Sequence, residues 1–317
     1  MRLIIQVPCF NEEATLAIAL AELPRKVEGF DTVEWLIIDD GSRDKTVEVA
    51  LANGVDHIVR FTKNQGLAKG FMAGLDACLK LGADVILNTD ADNQYSTKNI
   101  PDLVKPILEG RADYVIGERP ISTVKHFSPL KKLLQKFGSW VVRVASGTSI
   151  PDAPSGFRAM TREVALKMNV FSEYTYTLET IIQAGQKNLS IISVPVEVNE
   201  ELRPSRLMKS ISSYIKKSIG TIVRIFIVYS PFKFFMTTGL IVFLLGAALG
   251  VRYLILLMLS EASGNVQSLI LAAILLIIGF QLIMLAFVAD LLSVNRKLLE
   301  DIQYRTRAIE AKDHRKS

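Results

Sequence analysis

Cysteine and histidine are scarce, with two and three in 317 residues. Cys9 and Cys78 have no metal-ligand spacing and suggest no disulfide framework, so both read as small, reduced core residues. His57, His126 and His314 form no cluster, which argues against zinc chemistry. No Gly-Xaa-Gly-Xaa-Xaa-Gly follows a strand, and there is no Walker loop and no Gly-Xaa-Ser-Xaa-Gly elbow. The glycines of "GLAKGFMAG" fall on a helical pattern and read as packing positions. Repeats and low-complexity tracts are missing too, and "MRLIIQVPCFNEE" has too short an apolar stretch for a signal peptide. Acid is absent from one long stretch: no Asp or Glu lies between Glu201 and Glu261.

That acid-free stretch contains the first of two long apolar runs, Phe234 to Ser260; the second is Val266 to Leu292. Each exceeds the roughly 20 apolar residues that a membrane helix needs, and helices of a soluble core seldom stay apolar so long. Arg252, towards the far end of the first run, is placed to snorkel to the head groups. Arg203, Arg206, Lys209, Lys216, Lys217, Arg224 and Lys233 precede the first run, and Arg296, Lys297, Arg305 and Arg307 follow the second, whereas "SEASGN" between them has no Lys or Arg. The positive-inside rule therefore puts the N-terminal part and the C-terminal tail in the cytoplasm. A net charge of +5, clustered beside the spans, suits anionic lipid head groups rather than nucleic acid. Between Ser205 and Tyr229, apolar residues recur at three- and four-residue steps with lysines between them, as in interfacial helices.

Up to about Asn199, short apolar strands alternate with amphipathic helices. "RLIIQVP", "EWLIIDDGS", "HIVRF", "DVILNTD", "YVIGER" and "LSIISVPVEV" read as strands. "EEATLAIALAEL", with Asn11 as its cap, "DKTVEVALAN", with Asp44 near its start, and "GLAKGFMAGLDACLKLG" read as helices. The pattern predicts an α/β fold with a mostly parallel sheet covered on both faces. Ligands of such sheets sit at the carboxyl ends of the strands, and there the polar clusters fall: Asn11 and Glu12, Asp39 and Asp40, Asp90 and Asp92. The last pair, in "NTDADNQ", repels itself unless a cation intervenes. An oxygen-rich Asp-Xaa-Asp without His or Cys suits Mg2+ or Mn2+, which completes its shell with phosphate oxygens and water, so a diphosphate ligand is implied.

"VPCFNEE", "IIDDGSRDKT", "NQGLAKG", "TDADNQ", "GER", "DAPSGFR", Leu178–Glu179 and "VPVEV" occur in this order. Together they resemble family 2 glycosyltransferases of the dolichol-phosphate mannosyltransferase type, and most closely the polyisoprenyl-phosphate hexosyltransferases with two C-terminal membrane helices. The resemblance implies a GT-A (Rossmann-like) fold, a nucleotide-sugar donor, a polyisoprenyl phosphate acceptor and inversion. It implies that Pro8, Phe10, Glu12, Asp39 and Asp40 hold the donor, and that Asp90, Asp92 and Gln94 hold the metal and diphosphate. It also implies that Arg119 meets the acceptor phosphate, with Lys136 in place of a second arginine and Lys131 and Lys132 competing for that role. Arg203, Arg206 and Lys209 resemble a segment that closes over the donor, although "RPSRLMKS" departs from the family's pattern there. Tyr174, Tyr176 and Glu179 sit where members contact acceptor or sugar.

The expected organisation is a catalytic domain over 1–203, juxtamembrane amphipathic helices over 204–232, two membrane helices over 233–292 and a basic cytoplasmic tail over 293–317. No residue decides between UDP-glucose, GDP-mannose and a UDP-N-acetylhexosamine; the two-span architecture leans to UDP-glucose by analogy. A processive polysaccharide synthase lacks support, because neither Trp35 nor Trp140 lies in a Gln-Xaa-Xaa-Arg-Trp motif. An inactive lipid- or nucleotide-binding scaffold would be expected to have lost the Asp pair. A homo-oligomer is compatible with the sequence.

Overall fold

The computed structural model describes residues 1–120, 138–140, 142–144, 146–170, 176–199, 220, 224, 227–259 and 266–313. Lys131, Lys132, Lys136, Tyr174, Arg203, Arg206 and Lys209 lie outside them, as does most of the expected juxtamembrane segment 204–232. The chain divides into two compact units, one of Met1–Ser218 with Glu300–Ser317 and one of Ile219–Leu299.

The first unit is built on seven strands, β1 (Arg2–Cys9), β2 (Thr32–Asp39), β3 (His57–Arg60), β4 (Val85–Asn88), β5 (Tyr114–Glu118), β6 (Arg158–Thr161) and β7 (Ile191–Pro195). They lie in the order β3-β2-β1-β4-β6-β5-β7. All neighbours are parallel except β6, which is antiparallel to both β4 and β5. The sheet is therefore mostly parallel, and the carboxyl ends of β1 to β5 share an edge with the amino end of β6. β6 is absent from the pattern read in the sequence: it has four residues, opens on an arginine and carries no apolar run.

Period-two alternation divides the sheet between two covers. Leu3, Ile5 and Val7 of β1, with Trp35 and Ile37 of β2, join one apolar cluster with Leu16 and Leu20 of α1 (Leu16–Glu22) and Leu103 of α4 (Ile100–Leu108). The other face takes α3 (Leu67–Lys80). There a Cβ on Gly74 would come within 2.8 Å of Ile38 Cδ1, so this glycine is a close-packing position, whereas one on Gly70 would meet only ordinary contact and Gly66 precedes the helix in a left-handed conformation (φ 95°). Cys9 and Cys78 are both buried. α2 (Thr46–Ala52), α5 (Arg162–Lys167) and α6 (Thr177–Gln186) also belong to this part.

Two helix starts are informative. Asp44 Oδ1 accepts the N–H of Thr46 at 3.1 Å, so it does sit at the positive end of α2. Asn11 does not cap α1, which begins at Leu16 after Thr15. Instead Asn11 is left-handed (φ 55°), donates its N–H to Ser42 Oγ at 2.9 Å and accepts from Arg43 N at 2.9 Å. Its side chain ties the ends of β1 and β2 together.

α7 (Pro231–Met258) and α8 (Val266–Asp313) contain the two apolar runs. Their most apolar windows have mean hydropathies of 2.4 and 2.9 and are only 6% and 17% buried, which sets them apart from core helices of a soluble domain. Within the second unit they meet along small residues. A Cβ on Gly239 would lie 2.9 Å from Ile283 N, on Gly246 2.8 Å from Leu276 N, and on Gly279 2.6 Å from Phe243 N. Backbones approach this closely in membrane helix pairs, where packing replaces the hydrophobic effect.

The segment 293–317, read in the sequence as a tail, is to Asp313 the continuation of α8. Within the first unit its last turns bind the sheet domain. Lys187 pairs with Glu300 at 3.0 Å, Tyr304 OH donates to Glu163 at 3.1 Å, and Arg307 Nη1 donates to Met168 O at 2.7 Å and Asn169 Oδ1 at 3.0 Å. Arg162 Nη2 donates to Ala311 O at 3.0 Å.

Candidate active site

The carboxyl edge of the sheet gathers the predicted residues from four strands. Pro8 is in β1, Phe10 and Glu12 follow it, Asp39 ends β2 and Asp40 follows, Asp90, Asp92 and Gln94 lie beyond β4, and Arg119 follows β5.

Asp39 is fully buried. Its Oδ1 accepts the Ser42 N–H at 2.9 Å. Its Oδ2 has no hydrogen-bond partner, although the exposed Arg60 brings Nε to 3.2 Å. A buried carboxylate oxygen in this state is poised to accept from a ligand N–H or O–H. Asp40 is differently employed: Oδ1 accepts Gln65 N at 2.6 Å and Oδ2 accepts Gly66 N at 2.9 Å, so both oxygens shape the loop into α3. Glu12 is buried, accepts from Thr15 Oγ1 at 2.9 Å and donates its N–H to Thr46 Oγ1 at 2.8 Å. Phe10, at 37% exposure, presents its ring at the surface of this edge.

The loop carrying Asp90 and Asp92 is pinned on several sides. Asp92 Oδ1 accepts Gln94 N at 3.2 Å. Asn93 is left-handed (φ 57°), a conformation asparagine tolerates, and donates to Glu22 Oε1 at 3.1 Å. Asn199 N donates to Gln94 O at 2.9 Å, and Tyr95 bridges to Val198. Burial, and then the charge of Asp92, push the Asp90 carboxyl up to about 7. Arg119 and Arg158 act in the opposite direction without cancelling the rise. A bound cation would relieve both causes, the burial of the charge and its repulsion by Asp92.

No group of three or more His, Cys, Asp or Glu that could hold a metal occurs among the described residues. Two carboxylates alone suit an ion that draws its remaining ligands from phosphate oxygens and water, which is the habit of Mg2+. The donor set therefore fits a hard divalent cation bound together with a diphosphate.

Arg119 is held in a fork. Its Nε donates to Asp152 Oδ2 at 2.8 Å and its Nη2 to Asp152 Oδ1 at 3.0 Å. Burial alone would lower the basicity of Arg119, but Tyr95, Asp152 and Asp90 raise it, so the guanidinium stays charged. Glu179 lies buried in the first turn of α6.

Two residues of this region had no role in the sequence reading. Asp152 and Arg158 both stand in "DAPSGFR", a stretch noticed as part of a resemblance but not read for its charges. An acid and a base six residues apart around a Pro-Ser-Gly turn were the available signal. Gly156, between them, approaches Asp90 so closely that a Cβ would lie 2.9 Å from Oδ2 and 3.0 Å from Oδ1.

Known proteins resemble this chain in sequence and in fold. The sequence model described as Glycosyl transferase family 2 matches residues 4–168, which contain Asp39, Asp90, Asp92, Arg119 and Arg158. Polyprenol monophosphomannose synthase of Mycolicibacterium smegmatis is 29% identical over 66% of this chain and 82% of its own. The dolichyl-phosphate beta-glucosyltransferase ALG5A of Trichomonas vaginalis is 30% identical over 67% of this chain and 72% of its own. Among solved structures, glucosyl-3-phosphoglycerate synthase from Mycobacterium tuberculosis, in complex with Mn2+, UDP and glucosyl-3-phosphoglycerate, superposes with a TM-score of 0.56 at 18% identity, covering 71% of this chain and 78% of that one. It supports the GT-A fold alone. With the family's model spanning just over half of its residues, the chain belongs to glycosyl transferase family 2.

Proposed function

We propose that the protein transfers a hexose from a nucleoside-diphosphate sugar to a polyisoprenyl phosphate, with inversion, at the cytoplasmic face of a membrane. The observation that carries this reading is the electrostatic layout of one sheet edge: an excess of carboxylate at Asp90 and Asp92 beside the charged Arg119, in a chain with two membrane-length helices. The names of two relatives, one a mannose and one a glucose transferase to a polyprenyl or dolichyl phosphate, support the same class.

In this reading Asp39 Oδ2 accepts from the donor's nucleoside, Pro8, Phe10 and Glu12 line its seat, and Asp40 holds the 65–66 loop in place. Asp90 and Asp92, with Gln94, would hold Mg2+ or Mn2+, which when bound would supply positive charge to the leaving diphosphate. A phosphate monoester has a second pKa of about 6 and is largely dianionic at neutral pH. One of its oxygens forms the bond to the anomeric carbon while the bond to the nucleoside diphosphate breaks, and no side chain need remove a proton. Arg119 supplies positive charge to position that phosphate, assisted by Lys136. Arg203, Arg206 and Lys209 supply charge on the donor side. Glu179 contacts the sugar or acceptor. The acceptor's tail cannot leave the bilayer cheaply, which accounts for the helices.

Purified protein incubated with labelled UDP-glucose, GDP-mannose or UDP-N-acetylhexosamine, undecaprenyl or dolichyl phosphate, and Mg2+ or Mn2+ should carry label into the organic phase with one sugar, UDP-glucose by architecture. Chelation should stop the transfer. No lipid-soluble label with any combination would overturn the reading.

A further inference from the structure

Among the described residues Arg158 is the largest fully buried side chain, and none of its hydrogen bonds there goes to a carboxylate. Its Nε donates to Ser155 O at 2.6 Å and its Nη2 to Ala153 O at 2.8 Å, closing the turn that leads into β6. Its Nη1 donates to Tyr114 OH at 2.8 Å and Thr180 Oγ1 at 2.7 Å, anchoring the same guanidinium to β5 and α6. The Tyr176 ring lies 5.5 Å away. A buried charge is costly unless its hydrogen bonds are complete. Here they are spent on fixing two consecutive-but-one carbonyls of a single turn.

The residues flanking those carbonyls face opposite halves of the candidate site. Asp152 grips Arg119 through its two oxygens. Gly156 backs the Asp90 carboxylate, and its own peptide is clamped at both ends: its O accepts from Asn88 Nδ2 at 2.9 Å, and its N–H donates to Tyr95 OH at 2.9 Å. Asn88 and Tyr95 bracket the loop of Asp90 and Asp92 in sequence. The turn therefore touches the acceptor-side arginine at one end and the metal-side carboxylate at the other.

We propose that Arg158 is a positioning residue that locks the Asp152–Gly156 turn and so holds Arg119 and Asp90 in mutual register. The proposal rests on the reading of Asp90 and Asp92 as the cation site and Arg119 as the acceptor-phosphate residue. Lysine at 158 keeps the charge but cannot close both carbonyls and both hydroxyls in one plane. Tyr114→Phe removes one hydroxyl from the guanidinium and leaves the packing in place.

The test compares Arg158→Lys, Tyr114→Phe, Asp152→Asn, the double variant Arg158→Lys/Asp152→Asn, and Asp92→Asn as control. Each is read by melting temperature, Mn2+ affinity in the presence of UDP, and kinetics of lipid glycosylation. Arg158→Lys should lower kcat about tenfold or more and weaken Mn2+ binding, and Tyr114→Phe should do so more mildly with a near wild-type melting temperature. The Arg158→Lys/Asp152→Asn losses should fall well short of the product of the single losses, because both act through one turn. Losses that multiply, or a Tyr114→Phe enzyme with kinetics and Mn2+ affinity within about twofold of wild type, would overturn the proposal. An Asp92→Asn protein as active as wild type would instead sink the underlying reading, whatever Arg158 does.

Discussion

Function at the scale of single residues comes down to where carboxylates lack partners. Asp39 Oδ2 and the Asp90–Asp92 pair are under-compensated, whereas Asp40 and Asp152 are fully spent on backbone or arginine. Gly156→Ala should push the Asp90 carboxylate out of place rather than break the fold, since the atoms its Cβ meets belong to a side chain. Transfer should fall about 10- to 100-fold with little change in melting temperature, measured by glycolipid assay and thermal denaturation. The raised Asp90 pKa has a definite sign. Its folded carboxyl binds a proton more tightly than the unfolded one, so its contribution to stability is complete below about 4 and is lost as the pH climbs through about 7. Metal-free protein should therefore melt lower at pH 8 than at pH 6 to the extent that Asp90 controls it, and Mn2+ with UDP should reverse that trend. Cation affinity should weaken as the pH falls below about 7, with proton release on binding measurable by calorimetry in buffers of different ionisation heat.

Among the elements, β6 and α8 matter most. β6 runs against its neighbours, and that reversal brings the 152–158 turn to the edge where the other strands end. Were it parallel, Asp152, Gly156 and Arg158 would sit at the opposite edge, away from Asp90. α8 ends as part of the sheet domain's surface, through Glu300, Tyr304, Arg307 and Ala311. Arg307→Ala removes charged hydrogen bonds to Met168 O and Asn169 Oδ1 from a side chain that is 15% exposed, and should cost about 1–3 kcal/mol of stability by denaturant melts. A change of a few tenths would show that the last turns of α8 only lie alongside the domain.

For the whole molecule, Met1–Ser218 and Glu300–Ser317 belong to one compact unit, and under the proposed function both lie on one side of the membrane. We expect that side to be cytoplasmic from the basic flanks. The two native cysteines are buried, and burial holds their thiols above the usual range, so they give little labelling background. A Ser263→Cys variant in intact cells should react with a membrane-impermeant maleimide, whereas Glu109→Cys should react only after lysis. The reverse pattern would invert the topology.

Some of this was legible without coordinates. Long uninterrupted apolar runs favour helices in lipid and short ones strands in a covered sheet; hence the spans, β1, β2 and β4 were readable, as were the acids at the ends of those strands. Asp90 and Asp92 suggested a cation site because like charges one residue apart need neutralising wherever they lie. Tertiary structure alone decided what each charge is spent on. Asp40 and Asp39 are neighbours in the chain, yet one is satisfied by the 65–66 backbone and the other keeps an oxygen that faces Arg60 without a hydrogen bond. Asn11 looked like a helix cap but bonds a loop some thirty residues on. The coupling of Arg119, Asp152, Gly156 and Asp90 through Arg158 joins strands that are distant in sequence, and hydrogen bonds between such strands depend on sheet order, which periodicity does not encode.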